Sequence, residues 1–388
     1  MNDLTINQSY AVVNSILKQA TGNANISVVD GNQFATVATS VLKNGYDPLL
    51  NAISQVITRT IFSNRPYSRK FKGLQVSNQR FGNITRKLNV SDTDFENDDR
   101  YTLKDGQAVD QYIVKKPNVL QTNFYGSLTY QKHITLFKDQ LDVAFTSPEE
   151  LARFTAMVMQ NISDQKEQVH ENMARAVLSN FIAGKIAGDT ANVIHLVQEY
   201  NDLTGLALTT DTAMKPENFP SFMKFVSARI KTLSGYLTER SEKYHINITG
   251  KNVQRHTPLS KQKCYLYAPI QNQVATNVLA DVFNKDEMKM IDYEEVNFWQ
   301  SIDSPDGINI KPVYMHTDGT LKQPESATVQ SDIFGVIFDE EALGYTVVNE
   351  WSQPTPFNAR GGYTNIFWHW TERYWNDFTE NGIVLLLD

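Results

Sequence analysis

The sequence has little cysteine and no long apolar run. Cys264 is the one cysteine among 388 residues, so no disulfide within the chain and no cysteine-rich metal site can form. No apolar stretch approaches the roughly 18–20 residues that a membrane-spanning helix needs. Residues 1–8 lack the basic start and apolar core of a signal peptide. These absences predict synthesis in a reducing, intracellular compartment, without membrane association.

Sequence signatures of common enzymes are also missing. The chain has no glycine-rich phosphate loop followed by lysine, no nucleophile elbow and no His-Glu-x-x-His pair. His245 and His256 lie eleven residues apart in a polar loop, a weak pattern for a metal site. Carboxylates at 294–295 and 339–341 are typical of turns or solvated faces, and His369 is predicted to pack against its neighbours rather than act as a base. The sequence predicts no catalytic residue, metal or cofactor.

Charge is segregated along the chain. The formal net charge of −7 argues against a protein that coats itself with nucleic acid. Residues 48–91 contain eight lysines and arginines and no acid, whereas residues 92–110 contain seven acids and only two cations. One interpretation is a solvated face followed by a solvated loop; the other is a basic segment that meets an acidic segment of the next copy. On the second, the predicted inter-subunit contacts are Arg65, Arg69, Lys70, Lys72, Arg80, Asp92, Asp94, Glu96, Asp98 and Asp99.

The last 26 residues are unusually apolar for a chain terminus. Seven aromatic residues fall between Tyr363 and Phe378, and an unbroken apolar run then covers Ile383 to Leu387. Such a run predicts a strand that is buried on both faces. The residues expected to hold this C-terminal structure together are Trp368, Trp370, Trp375, Phe378, Ile383 and Leu385. Trp368 and Trp370 share one face of a strand, so a sugar-binding platform is an alternative, although an exposed platform does not call for the apolar ending.

The first half of the chain predicts helices, then strands, then one long helix. Helical spacing occurs at residues 10–20, and Asp47-Pro48 is a second helix start. Residues 73–145 show strand patterns, Tyr112–Val114 among them, and the acidic stretch 92–106 is predicted to be the tip of a long hairpin. Ser147-Pro148 then begins an amphipathic helix of about 35 residues that ends near Gly184. Its predicted stripe is Leu151, Phe154, Val158, Ile162, Val169, Met173, Ala176 and Asn180.

The second half alternates helices and strands. Helices are predicted at 217–233 and 270–283, and Cys264–Pro269 is predicted to be a buried strand that runs into the second helix. Further strands are expected at 308–315, 333–338 and 344–349, and residues 355–388 return to β character. The pattern indicates an α+β protein with a compact mixed domain over residues 190–345.

This order of elements resembles the major capsid proteins of tailed double-stranded-DNA phages, the Hong Kong 97 type of shell subunit. Two short stretches are similar as well. Residues 338–344, Phe-Asp-Glu-Glu-Ala-Leu-Gly, resemble the late acidic turn before a strand in that family. Residues 358–363, Asn-Ala-Arg-Gly-Gly-Tyr, through Asp377-Phe378 to Gly-Ile-Val-Leu at 382–385, resemble its closing strand. The similarity covers nearly the whole length in architecture and rests on short stretches of sequence.

The resemblance implies a division of the chain and a function. The implied parts are an N-terminal arm (1–70), an extended β loop that reaches over a neighbour (71–145), a peripheral domain with a spine helix (146–189), an axial domain (190–345) and a C-terminal strand that completes the peripheral domain (346–388). The implied function is self-assembly of pentamers and hexamers into an icosahedral shell. An encapsulin-type compartment is an alternative within the same fold, and a carbohydrate-binding or hydrolytic protein is one outside it.

The resemblance also implies partners and a location. The shell would enclose packaged double-stranded DNA without sequence-specific binding, and a portal protein and a separate scaffolding protein would take part in assembly. The protein would be synthesised in the cytoplasm of a bacterial host and end in the virion capsid.

Overall fold

The structure of the chain is a computed structural model. It describes residues 6–21, 37, 67, 69–76, 84–91, 98–109, 111–114, 116, 118–125, 127–139, 148–251, 253–277 and 293–388. Contacts divide the chain into two units. The first unit takes residues 1–82, 126–173 and 346–373, and the second takes 83–125, 174–345 and 374–388.

The described elements include six α-helices and fourteen strands, and only strands follow the last of these helices. The helices are α1 (Ile6–Thr21), α2 (Pro148–Gly188), α3 (Leu196–Thr204), α4 (Thr210–Ala213), α5 (Phe219–Thr238) and α6 (Ala268–Asn277). The strands are β1 (Ile84–Val90), β2 (Val119–Tyr125), β3 (Leu128–Phe137), β4 (Val193–His195), β5 (Gln262–Tyr267), β6 (Tyr293–Val296), β7 (Ile308–Ile310), β8 (Tyr314–Met315), β9 (Leu321–Lys322), β10 (Thr328–Gln330), β11 (Ile333–Asp339), β12 (Leu343–Pro354), β13 (Tyr363–Asn376) and β14 (Gly382–Leu386). None of these helices is long and apolar enough to cross a membrane.

In the first unit, β13 lies between β12 and β3 in a three-stranded sheet. Because side chains alternate across a strand, every second residue of β13 from Thr364 to Glu372 is buried, including Trp368 and Trp370. The two tryptophans share a face, as the sequence predicts. That face belongs to the core, so the alternative in which they form an open sugar-binding platform is wrong.

The long helix α2 starts at the predicted Pro148 and runs 41 residues to Gly188, one turn beyond the predicted end. Its predicted stripe is displaced by about one position over the second half, where Ala176 is exposed. The buried apolar residues there are Ala174, Val177, Leu178, Phe181, Ile182 and Ala183, and the buried polar ones include His170, Glu171, Arg175, Ser179 and Lys185. An apolar stripe does not include these polar positions, so it describes the inward side incompletely. Two of the polar residues have an ionisable partner close by, since Nδ1 of His170 lies 2.5 Å from Oε1 of Glu372 and Nζ of Lys185 lies 2.7 Å from Oδ2 of Asp189.

The second unit has a five-stranded sheet in the order β4-β14-β11-β5-β6. Strand β14 pairs antiparallel with β11 and parallel with β4. Residues 383–387 are all buried, which confirms the prediction of a strand covered on both faces. The neighbours of β14 come from the segment 190–345, not from the segment around α2 that the resemblance suggested. A strand's composition reports its burial but does not choose its partner. The domain boundaries themselves stay a prediction.

Strands β1 and β2 form an antiparallel hairpin in which Val90 is opposite Val119. The predicted hairpin is therefore present, and the acidic stretch lies in its connection. The predicted strand at Tyr112–Val114 is wrong, because Tyr112 lies in a turn, Ile113 and Val114 have no regular secondary structure, and all three are exposed. Apolar residues favour strands mainly by packing on a sheet, and these three have no strand beside them in the described part of the connection.

Most other predicted elements are confirmed. Helix α1 covers the spacing found at residues 10–20, and β5 runs directly into α6. The strands predicted near 308, 333 and 344 correspond to β7, β11 and β12. The predicted helix start at Asp47-Pro48 and residues 278–283 of the second predicted helix lie outside the described residues.

Candidate assembly surfaces

The hairpin of β1 and β2 is attached to the second unit through Lys87. The Lys87 ammonium lies 3.0 Å from Oδ2 of Asp377 and 3.3 Å from Oε2 of Glu341, and it also contacts Oε1 of Glu380. Burial by itself lowers the pKa of Lys87, but the charges and hydrogen bonds of Asp377 and Glu380 outweigh it, so the pKa is raised. Lys87 is therefore cationic at neutral pH, and it holds the strand to the residues before β14.

Arg255 makes a second link between the same parts. Its Nε donates to the Thr379 carbonyl at 3.0 Å, and its Nη1 donates to Oδ1 of Asn89 at 3.0 Å. Nη1 also lies 3.0 Å from Oε1 of Glu380. Lys87 and Asn89 are two residues apart, so they point to the same side of β1. One face of the hairpin is thus bound to its own subunit by charged and polar groups, which we call the root face.

The opposite side of the hairpin is open to solvent and carries apolar side chains at the end next to the connection, beside the polar residues Arg86, Gln121 and Asn123. Leu88 is 61% exposed, Val90 60% and Val119 48%. Strand alternation and the pairing of Val90 with Val119 place the three side chains on one side. We call this side the outward face. Single exposed apolar residues are ordinary, but a cluster on one element is typical of an interaction surface.

The connection beyond the hairpin adds more exposed apolar area. The exposed large side chains there are Tyr101, Leu103, Val109, Tyr112, Ile113 and Val114. They are interspersed with acidic and polar residues, and residues 98, 100–109 and 111–114 are all exposed. A segment with this composition has no core of its own.

The sheet of the first unit carries a second partly exposed surface, which we call the aromatic face. Its rings are paired in contacts across the strands. Trp351 stacks on His369 with centroids 4.1 Å apart, His133 lies 5.3 Å from Phe367, and Phe137 meets Tyr363 edge-on at 5.9 Å. This is the side of β13 opposite Trp368 and Trp370. The stacking confirms that His369 packs against its neighbours, and it places the accessible aromatic rings on the face that the sequence did not single out.

The predicted charged contacts occupy different environments. Arg69 is largely buried and its Nε lies 3.7 Å from Oε2 of Glu167 in the same unit. Lys70 and Lys72 are exposed. Asp98 is exposed and accepts a 2.5 Å hydrogen bond from Nε of Arg100, and Asp99 begins a short 3₁₀ helix. Arg65, Arg80, Asp92, Asp94 and Glu96 lie outside the described residues.

The predicted C-terminal residues are placed in the core. Trp368, Trp370, Phe378, Ile383 and Leu385 are buried. Trp375 is half-buried, and its Nε1 donates to the Glu341 carbonyl at 3.4 Å. The part that sequence reasoning missed is the set of polar residues between β13 and β14, from Asp377 to Asn381, which is fully buried. A run of polar residues between two apolar strands is ordinarily a sign of an exposed turn.

Few of the described side chains are arranged so that they could bind a metal or act as a nucleophile. No cluster of three or more histidine, cysteine or acidic residues in the described ranges has the arrangement of a metal site. Cys264 is buried in β5, and burial raises the pKa of its thiol. A thiol without thiolate character is a poor nucleophile and a poor metal ligand.

The sequence matches the family model of the Phi29-like phage major capsid protein over residues 13–386. The chain belongs to this family. As a capsid protein it has a structural, non-enzymatic role in the virion, where copies of the family assemble into a shell. The comparisons give no support to an encapsulin-type or carbohydrate-binding protein.

Solved structures show the same fold at low sequence identity. The chain matches a capsid structure of Staphylococcus phage Andhra with a TM-score of 0.56 and 12% identity, covering 85% of this chain and 87% of that chain. It also matches the structure of head fiber and inner core protein gp22 of native bacteriophage P68 with a TM-score of 0.54 and 11% identity, at the same coverage. A comparison with curated protein sequences gave no match. The α+β class predicted from sequence is confirmed, and the fold is that of phage capsid subunits.

Proposed function

We propose that this capsid protein forms an icosahedral shell of pentamers and hexamers around packaged double-stranded DNA, and that the outward face of its hairpin is a contact between neighbouring copies. The observation that supports the contact is the asymmetry of the hairpin. Lys87 and Asn89 hold one side to the subunit, whereas Leu88, Val90 and Val119 expose the other. A hairpin alone is only marginally stable, and exposure of apolar side chains to water is unfavourable unless a partner covers them.

The same proposal assigns a structural role to each segment of the chain. Residues 1–70 act as an arm, 71–145 as the extended loop, and 190–345 as the axial domain, whose sheet β14 joins. Residues 146–189, with the part of 346–388 that precedes β14, act as the peripheral domain. A portal protein and a separate scaffolding protein take part in assembly, which begins in the cytoplasm of a bacterial host. The negative net charge suits a wall that encloses DNA without binding a particular sequence.

A lysine on the outward face tests the contact. We expect Val90→Lys to lower the yield of shells at least tenfold, because an unpaired charge covered by an apolar surface costs more than about 1.4 kcal/mol. The thermal unfolding of the unassembled subunit should stay within about 0.5 kcal/mol of the wild type, since Val90 is exposed there. Electron microscopy and sedimentation of purified protein measure the yield. The matched control is Val90→Ile, which keeps the apolar surface and should assemble normally. Normal shells from Val90→Lys would remove the outward face from the proposal.

The basic segment before the hairpin is proposed as a second contact, with the acidic connection of the next copy. We expect Lys70→Glu combined with Lys72→Glu to raise the protein concentration needed for assembly severalfold, with little change in subunit stability, because both residues are exposed. The loss should shrink at high salt, where exposed charges are screened. Light scattering during assembly measures both effects.

Arg69 provides the comparison for this pair of substitutions. Arg69→Glu brings a like charge to Glu167 inside one subunit, so it should lower the unfolding temperature of the unassembled protein. If the Lys70 and Lys72 double variant assembles as readily as the wild type at low salt, complementary charge does not join the copies.

A further inference from the structure

A buried chain of hydrogen bonds lies beside the start of β14. Oγ1 of Thr257 donates to Oδ2 of Asp339 at 2.8 Å, and Nδ2 of Asn381 donates to Oγ1 of Thr257 at 3.1 Å. Oδ1 of Asn381 lies 3.2 Å from Nδ1 of His245, and Nε2 of His245 lies 2.9 Å from the Val253 carbonyl oxygen. All four side chains are buried.

The number of hydrogens in this chain depends on the protonation of His245. Thr257 has one hydroxyl hydrogen, and a carboxylate can only accept. When Thr257 donates to Asp339, it can only accept from Asn381, which must then turn its carbonyl oxygen toward His245. The Val253 carbonyl is also an acceptor, so both ring nitrogens of His245 face oxygen acceptors. Both nitrogens carry hydrogens only in the imidazolium form.

A neutral His245 requires a different arrangement. Nε2 still donates to Val253, and Nδ1 becomes an acceptor that needs the amide nitrogen of Asn381. With the amide turned over, Oδ1 of Asn381 takes the hydroxyl hydrogen of Thr257. The oxygen atoms of Thr257 and Asp339 are then left facing each other without a hydrogen between them. One proton on His245 therefore decides the orientation of Asn381 and the presence of the Thr257–Asp339 bond.

We propose that His245, Asn381, Thr257 and Asp339 form a proton-operated latch, in which proton uptake by His245 turns the amide of Asn381 and closes the bond between Thr257 and Asp339. The latch has a route to the hairpin. Asn381 directly follows Glu380, whose carboxylate contacts both Lys87 and Arg255. Gly382 donates its N–H to the Tyr244 carbonyl at 2.8 Å, next to His245. A change at Asn381 thus acts on the segment that holds the root face. This second step rests on the proposed role of the hairpin in assembly.

The charges around His245 decide the pH at which the latch works. Burial lowers its pKa most, and the nearby cations Arg255 and Lys185 lower it further, while the bonds to Val253 and Asn381 raise it. Asp189 pairs with Lys185, Glu380 contacts Lys87 and Arg255, Asp377 contacts Lys87, and Asp339 is the carboxylate of the latch itself. The net effect is a pKa below the ordinary value of 6.5.

The sign of the stability effect follows from that shift. A histidine with a lowered pKa in the folded state binds its proton more readily when the chain unfolds. Its contribution to stability is therefore complete above pH 6.5 and is lost as the pH falls through the folded pKa. The open, neutral form is therefore expected at neutral pH, whereas the hydrogen bonds described above are those of the closed form. Acidification closes the latch at a cost in stability.

Histidine NMR on the unassembled full chain tests the latch. We expect His245 to titrate below pH 6.5 and to show both ring nitrogens protonated in acid. Valine has nearly the same shape as threonine but no hydroxyl group, so in Thr257→Val the amide of Asn381 is no longer connected to Asp339. The protonated form of His245 then loses this support, and the pKa of His245 should fall further, by about 0.5 to 1. The matched control is Thr364→Val, a buried threonine in β13 of the first unit, which should leave the titration unchanged. An identical titration in Thr257→Val, or a proton taken up by Asp339 in place of His245, would overturn the latch.

Amide exchange in β1 tests the link to the hairpin. After correction for the pH dependence of chemical exchange, protection of residues 84–90 should change between about pH 7.5 and about pH 5.5 in the wild type but not in His245→Gln. An equal change in both proteins would separate the latch from the hairpin. Neither measurement depends on assembly, so both remain decisive even if the outward face proves not to be a contact.

Discussion

Lys87→Met should lower the free energy of unfolding of the subunit by about 3–5 kcal/mol. Lys87 is held by two buried carboxylates, and the side chain of Asp377 is fully inaccessible to water. Removal of the ammonium takes away the cation that the carboxylates of Asp377 and Glu380 share, although Arg255 still contacts Glu380. Methionine keeps much of the apolar packing of the lysine stem. The loss in unfolding free energy therefore measures the contribution of the charge. Urea unfolding of the unassembled subunit measures it.

Lys166→Met is the matched control for this substitution. Lys166 pairs with Glu350 at 2.6 Å, but both side chains are considerably more exposed than Lys87 and Asp377. An ion pair of this kind contributes at most about 1 kcal/mol. A double variant tests whether the unpaired carboxylates cause the loss of stability. Lys87→Met combined with Glu380→Gln removes one of these charges and should recover part of the stability. A Lys87→Met subunit as stable as the Lys166→Met subunit would show that the root face does not depend on this pair.

Assembly should be affected more strongly than stability by the same substitution. In the proposed contact, the outward face meets a neighbour only while the root face fixes the hairpin, and Lys87 and Arg255 make charged links of the root face. We therefore expect no shells from Lys87→Met even at temperatures where the subunit remains folded. Electron microscopy of that protein, beside circular dichroism of the same sample, separates the two effects.

Deletion of residues 383–388 should leave no folded subunit. Strand β14 lies inside its sheet and pairs on both edges, so its loss removes two ladders at once. Five apolar side chains, from Ile383 to Leu387, are lost from the core. At about 1.5–3 kcal/mol for each buried side chain, the sum is comparable with the whole stability of a typical domain, about 5–15 kcal/mol. The expected result is insoluble protein, or soluble protein without a cooperative unfolding transition.

Deletion of Asp388 alone is the control for this truncation. Asp388 is exposed, and its carboxylate lies 2.7 Å from Nδ1 of His195. Loss of such a contact should change stability by no more than about 1 kcal/mol. The substitution Leu385→Ala should have an effect between those of the two deletions, and we expect it to lower the free energy of unfolding by about 2–5 kcal/mol. A folded, assembling protein without residues 383–388 would show that β14 is dispensable.

The helix and the buried strands were predictable because their signals are local. Ser147-Pro148 predicts the start of α2, and the apolar runs of β11 and β14 indicate that these strands are buried. The inward side of α2 was less predictable, since His170 and Lys185 face the core beside acidic partners that are distant in sequence or one turn away. Hydrophobic spacing cannot identify a polar residue that is buried with its partner.

The candidate surfaces were only partly predictable for the same reason. The charged segments were visible in the sequence, but Arg69 forms an ion pair with Glu167 of its own unit. The outward face combines residues of β1 with Val119 of β2, and the register of the hairpin brings them together. The latch gathers His245, Thr257, Asp339 and Asn381 from four places in the chain.

By itself, the sequence determined the α+β class, the long helix, the hairpin and the burial of the C-terminal strand, because spacing, capping residues and apolar runs act over a few neighbouring residues. Only the tertiary structure decided which strands β14 joins, which side of the hairpin faces water, and which polar groups are buried together. Those outcomes depend on contacts between residues far apart in the chain. A buried polar group is stable only where the fold supplies its partners, so the sequence contains the groups, and the fold alone decides how they pair.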